Sequence, residues 1–120
     1  MKIKWGVIGC GGIADRRTLP GMMLADNAEL VAVMDANKAA AESCKEKYNA
    51  KYAFDNIEEL LAIDEIQAVY IASPVFCHKE QAFAAADAGK DILIEKPVGL
   101  TSEEAEEIAA YCDKKGVKLG

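Results

Sequence analysis

A chain of 120 residues and 12.9 kDa fits one domain and is long enough to bury roughly two-thirds of the surface its unfolded form exposes. Hydrophobic residues at 52% and charged residues at 28% exclude disorder, collagen-like repetition and low-complexity assemblies. The formal charge is −6 with the Lys and Arg residues scattered, which argues against nucleic acid or an anionic membrane surface as partner.

Lys2 and Lys4 before Val7-Ile8-Gly9-Cys10 imitate a lipoprotein signal, but the apolar part is too short to serve as one, and no stretch nears the roughly 20 apolar residues of a membrane span. The four cysteines, Cys10, Cys44, Cys77 and Cys112, stand 34, 33 and 35 residues apart without any repetition of their flanks. No CxxC or Cys/His spacing suits a metal, so none is expected; reduced thiols and a cytoplasmic location are.

In chain order, Lys2 to Ile8 is a short apolar run ending in glycines, which predicts a buried strand entering a tight turn. A short helix closed by Pro20 follows, then a strand over Glu29 to Met34 ending at Asp35, and a helix rich in Ala and Lys through about Tyr48. Lys51 to Phe54 reads as a third strand, and Asp55-Asn56-Ile57-Glu58 as the N-cap of a helix carrying Leu60 and Leu61. Ala68 to Ile71 is a fourth strand, a helix from about Cys77 to Ala88 ends at Gly89, and Asp91 to Ile94 is a fifth strand. Thr101-Ser102-Glu103-Glu104 opens a helix that Gly116 closes, and Val117-Lys118-Leu119 begins a sixth strand. Such alternation implies an α/β fold with a doubly wound, mostly parallel six-stranded sheet in the order 3-2-1-4-5-6 and helices on both faces. Its ligand crevice lies beyond the carboxyl ends of strands 1 and 4, so the informative residues follow strand ends.

Gly9-Cys10-Gly11-Gly12-Ile13-Ala14 sits there after the first strand, with the Gly-x-Gly-x-x-Ala spacing of a dinucleotide turn. Gly9 permits the tight turn, Gly11 lets backbone N–H groups approach a pyrophosphate, and Ala14 allows close helix–strand packing. The bland alternative is a glycine turn without a ligand. Asp35, 21 residues after Ala14 at the end of the second strand, weighs against it because a carboxylate there accepts hydrogen bonds from an adenosine ribose. Its charge repels the 2′-phosphate of NADP and so favours NAD, although Lys38 and Arg16-Arg17 supply cations nearby and keep NADP as the lesser alternative. Ala72, Ser73 and Pro74 border the nicotinamide side, with Ser73 a candidate contact. His78, the only histidine, reads as a local hydrogen-bonding residue before it reads as a general base. Glu95-Lys96-Pro97 follows the fifth strand, where the Lys96 ammonium can stabilise charge developing on a substrate oxygen; the alternative is a surface Glu–Lys pair.

Taken together, the glycine turn, Val31-Ala32-Val33-Met34-Asp35, Ser73-Pro74 with His78, and Ala88-Gly89-Lys90-Asp91-Ile92-Leu93-Ile94-Glu95-Lys96-Pro97 resemble the nucleotide-binding domain of the glucose-fructose oxidoreductase, inositol dehydrogenase and MocA family. The resemblance covers essentially the whole chain, and the last stretch is its most specific part. It implies a Rossmann fold, Lys96 as the family's lysine touching nicotinamide and substrate, and a cis bond before Pro97. Val75 stands where the family commonly has Asn. The expected organisation is one dinucleotide-binding domain over residues 1–120, without the substrate domain that in this family supplies an Asp and a His for proton transfer and usually the oligomer interface.

The expected function is therefore the NAD(P)-binding half of an oxidoreductase acting on a sugar, cyclitol or related alcohol, with little turnover by the chain alone and self-pairing into a homodimer. The alternative is a stand-alone NAD-binding sensor or assembly module.

Overall fold

In the computed structural model, which describes residues 2–10, 21 and 25–120, five strands form one parallel sheet. They are β1 (Ile3–Ile8), β2 (Ala28–Met34), β3 (Tyr52–Phe54), β4 (Ala68–Ile71) and β5 (Asp91–Ile94). The helices are α1 (Lys38–Tyr48), α2 (Ile57–Leu61), α3 (His78–Asp87) and α4 (Ser102–Lys115), with a 3-10 turn at Val75–Cys77 before α3. The short helix expected before Pro20 lies outside the described residues.

Three of the four helices start where a short polar side chain offers an acceptor to an orphan amide, whereas α3 follows Cys77 without a side-chain cap. Asn37 accepts from Ala40 N, Asn56 from Glu59 N and Thr101 from Glu104 N. Glu104 in turn accepts from Leu100 N at 3.1 Å, one residue before the amide that a standard capping box would engage. Gly89 and Gly116, both at φ +75°, end α3 and α4 in the left-handed conformation.

The strand order is β3-β2-β1-β4-β5, so the expected sheet is present with five strands instead of six. At the sixth position only residues 118–120 approach β5: Ile92 N donates to Lys118 O, Gly120 N to Ile92 O and Ile94 N to Gly120 O. These bonds give one isolated parallel bridge, Ile92 to Leu119, because so short a segment offers too few paired groups for a ladder.

Apolar residues sit on both faces of the sheet, as a parallel sheet covered on both sides requires. On one face Ile8, Val31, Val69, Ile71 and Ile92 pack with Leu60 of α2, Ala82 and Ala85 of α3 and Ile108 and Cys112 of α4. Across the sheet Val7, Leu30, Val33 and Tyr70 pack with Ala41, Cys44 and Tyr48 of α1. Lys90 is buried beneath β5, where its Nζ donates to Ile63 O at 2.9 Å and burial lowers its pKa.

Helices α3 and α4 are also held together at their surface. Phe83 stacks on Tyr111 with ring centroids 4.0 Å apart, the Tyr111 hydroxyl donates to Asp87, and Lys115 lies 3.3 Å from the same carboxylate. The Tyr111 hydrogen bond, with help from Lys115, holds the Asp87 carboxyl below its usual range. A depressed carboxyl stabilises the fold above its unfolded value, and that contribution is lost as the pH falls through the folded one. Tyr111→Phe keeps the ring stack and removes the main cause. Denaturant unfolding should therefore show Tyr111→Phe less stable than wild type at pH 7, with the gap closing as the pH falls below about 3.8.

Candidate dinucleotide site

The register of the sheet decides where the site lies. Ile8 pairs with both Met34 and Ile71, and Ile71 pairs with Ile94, so β1, β2, β4 and β5 end at one level. The residue after each strand extends the ladder by one bond: Gly9 N donates to Met34 O, Ala72 N to Ile8 O and Glu95 N to Ile71 O. Gly9, Asp35, Ala72 and Glu95 thus emerge side by side, and all four line a cleft of about 500 Å³. The cleft opens where the chain order reverses between β1 and β4, the switch point at which open α/β sheets bind ligands.

Gly9 is the hinge of this cleft. Its φ is +98°, and a Cβ placed there would lie 2.7 Å from Ser73 N and 2.8 Å from Ala72 C. The β1 turn thereby lies directly on the β4 turn, and only a residue without a side chain permits that approach. Cys10 follows with its thiol 3.6 Å from Met34 O and is buried. Gly11, Gly12, Ile13 and Ala14, together with Arg16 and Arg17, lie outside the described residues.

Asp35 joins the first turn to the second. One carboxylate oxygen accepts from Cys10 N at 2.9 Å and the other from Asn37 N at 2.9 Å. These two amides fix the carboxylate in plane while leaving lone pairs on both oxygens for further donors. Lys38, the nearest described cation in sequence, sends its Nζ to Ala53 O at 3.0 Å and lies 3.9 Å from Glu42.

The other wall comes from β4, β5 and the start of α3. Ser73 and Pro74 line the cleft, and the Ser73 hydroxyl is hydrogen-bonded to Gln81, a lining residue the sequence reading passed over. Its signal is the i, i+3 spacing from His78, which places both on one face of α3. Tyr70, which the sequence reading also passed over, does not line the cleft; buried in β4, it donates its hydroxyl to the Glu95 carboxylate that does. Cys77 also lines the cleft, where burial and the charge of Glu80 push its thiol up. It stands there as a neutral thiol and not as a nucleophile.

Glu95 and Lys96 part at the end of β5. Glu95 faces the cleft, whereas the exposed Lys96 lines an adjoining hollow with Pro97, Val98 and the first residues of α4. The bond between Lys96 and Pro97 is cis, as the resemblance implied. His78 is hydrogen-bonded to backbone carbonyls, locally to Ser73 and across the fold to Pro97 and Val98, and does not line the cleft. Among the described residues no group of three or more His, Cys, Asp or Glu side chains is placed to hold a metal ion, and no helix is long and apolar enough to cross a membrane.

A glycine turn pressed on β4, a fixed carboxylate at the end of β2 and a cleft at the switch point define a nucleotide-binding α/β domain. The chain belongs to the Gfo/Idh/MocA oxidoreductases, whose family model, an oxidoreductase family with an NAD-binding Rossmann fold, matches residues 3–120. Glucose-6-phosphate 3-dehydrogenase of Bacillus subtilis is 40% identical over 115 residues, which cover 96% of this chain and 32% of that protein. The 3-ketoreductase KijD10 of Actinomadura kijaniata, solved with NADP and TDP-benzene, superposes with a TM-score of 0.93 at 32% identity, covering 99% of this chain and 37% of that one. The WlbA dehydrogenase of Bordetella pertussis, solved with NADH and UDP-GlcNAcA, gives a TM-score of 0.91 at 31% identity, covering 99% and 36%. The chain spans about a third of the length of the curated relatives it matches.

Proposed function

We propose that this chain is the cofactor-binding part of a dehydrogenase or reductase that moves hydride between nicotinamide and a sugar, cyclitol or related alcohol. The observation that carries the reading is the alignment of Gly9, Asp35, Ala72 and Glu95 at one level around a single cleft in a family of NAD-binding oxidoreductases. The residues fit such a group: Gly9 leaves backbone room at the turn, and Asp35 presents a fixed carboxylate with free lone pairs. The nicotinamide ring, when bound, supplies the hydride acceptor or donor. Asp35 accepts from the hydroxyls of the adenosine ribose, and Gly9 to Ala14 offer amides to the pyrophosphate. Ser73, Pro74 and Glu95 border the nicotinamide end, and the Lys96 ammonium donates to the reacting oxygen of the substrate and stabilises charge there.

NAD is the preferred cofactor on this reading. A 2′-phosphate would meet the Asp35 carboxylate, and the Lys38 ammonium is engaged by the Ala53 carbonyl. The relatives support a dinucleotide of either kind, since KijD10 was solved with NADP and WlbA with NADH. Calorimetric titration with NAD, NADH, NADP and NADPH should show binding of the first two, weaker by about tenfold or more for the phosphorylated pair. Equal or tighter binding of NADPH would overturn the preference, and no binding of any of the four would overturn the reading. The purified 120-residue chain should turn over a panel of sugars and polyols poorly, because it spans only about a third of its relatives and Lys96 is its one candidate for contact with the reacting oxygen. Robust turnover would contradict this.

A further inference from the structure

All the partners of His78 are backbone carbonyls. The ring is only 2% exposed. Its Nε2 lies 2.8 Å from Ser73 O, and its Nδ1 lies 3.1 Å from both Pro97 O and Val98 O. Ser73 belongs to the turn after β4, which Gly9 touches, and Pro97 and Val98 follow Lys96 in the turn after β5. One side chain therefore spans the two turns that flank the nicotinamide end of the cleft.

We propose that His78 is the positioning residue that joins these turns into a single wall and so places Ser73 and Lys96 relative to each other. The inference rests on the dinucleotide reading above. Lys96 is exposed and its own side chain is not what anchors it. Its segment is pinned on one side by the bond from Glu95 N to Ile71 O at 2.9 Å and on the other by the His78 contacts to Pro97 and Val98. Without His78 the second pin is lost, and three part-buried carbonyls are left to water in its place. The ring sets one nitrogen against each turn, Nε2 at Ser73 O and Nδ1 at Pro97 O and Val98 O, so one rigid side chain fixes the distance between them. Because His78 does not line the cleft, it acts on a bound nucleotide through Ser73 and Lys96 and not by touching it.

The test compares NADH with ADP-ribose, which carries the adenosine ribose and pyrophosphate but no nicotinamide, on the whole chain and its His78→Gln and His78→Asn variants. His78→Gln should weaken NADH by about tenfold and ADP-ribose by less than about twofold, because the Asp35 end is untouched. A general structural defect would weaken both alike, and that result, or no change in either, overturns the inference. Failure of the wild type to bind either nucleotide would instead overturn the dinucleotide reading, and this inference with it. Where circular dichroism shows that neither variant folds, amide NMR of the wild type decides. NADH should shift Ser73 and Val98 with one shared midpoint while ADP-ribose shifts neither; a shift confined to one turn contradicts the single wall.

Discussion

Asp35→Ala is expected to weaken NADH binding by about 10- to 100-fold, the loss that follows from removing hydrogen bonds to a charged group from a bound ribose. The effect has two sources that point the same way. The carboxylate is the acceptor for the ribose hydroxyls on the proposed reading, and it is also what ties Cys10 N to Asn37 N across the ends of β1 and β2. Removing it frees the glycine turn that is to face the pyrophosphate. Asp35→Asn separates the two contributions: one amide oxygen still accepts, whereas the Nδ2 group meets a backbone N–H and repels it. Titration of NADH and NADPH into both variants checks the account. If Asp35 discriminates against a 2′-phosphate by charge, NADPH should lose less than NADH, or gain, on either substitution.

Gly9→Ala is expected to destabilise the domain by about 3 kcal/mol, from a left-handed backbone that disfavours a side chain and from a Cβ placed against main-chain atoms. The contacts involved are Ser73 N at 2.7 Å and Ala72 C at 2.8 Å, neither of which has a side-chain torsion with which to move away. For a chain of 120 residues this corresponds to a fall in melting temperature of about 10 °C. Gly6→Ala is the matched control. Its Cβ would also lie 2.7 Å from an atom, but that atom is the Leu60 Cδ2 methyl at the end of a rotatable side chain. Thermal unfolding should therefore show the larger loss at Gly9. A larger loss at Gly6 would mean that the Leu60 side chain cannot move aside, and that its packing limits stability more than closure of the β1 turn onto β4.

The strands were legible because each is a short β-branched or apolar run closed by a recognisable stop. Ala68–Ile71 and Asp91–Ile94 fall where the sequence places them, and β2 begins one residue earlier, at Ala28. Residues that follow strand ends were legible for the same reason: Gly9, Asp35, Ala72 and Glu95 all reach the cleft through the register alone. The sixth strand that begins at Val117 takes its expected place beside β5 but forms only one bridge, since local β propensity over Val117 to Leu119 cannot reveal how many backbone groups meet β5. What the sequence hid is side-chain pairing across long separations. Tyr70 with Glu95, and His78 with Pro97 and Val98, join positions 19 to 25 residues apart that no periodicity links. Lys96 shows the same limit from the other side. Its place after β5 was evident, but its lining a hollow beside the cleft depends on how the chain turns at Pro97.

The most direct test of the central claim is a crystal structure of the chain grown with NADH. The account predicts ribose hydroxyls within hydrogen-bonding distance of the Asp35 carboxylate, pyrophosphate over the turn that begins at Gly9, and the nicotinamide between Ser73 and Lys96. A nucleotide bound away from this cleft, or lying in it with the adenosine at the Ser73 end, would contradict it.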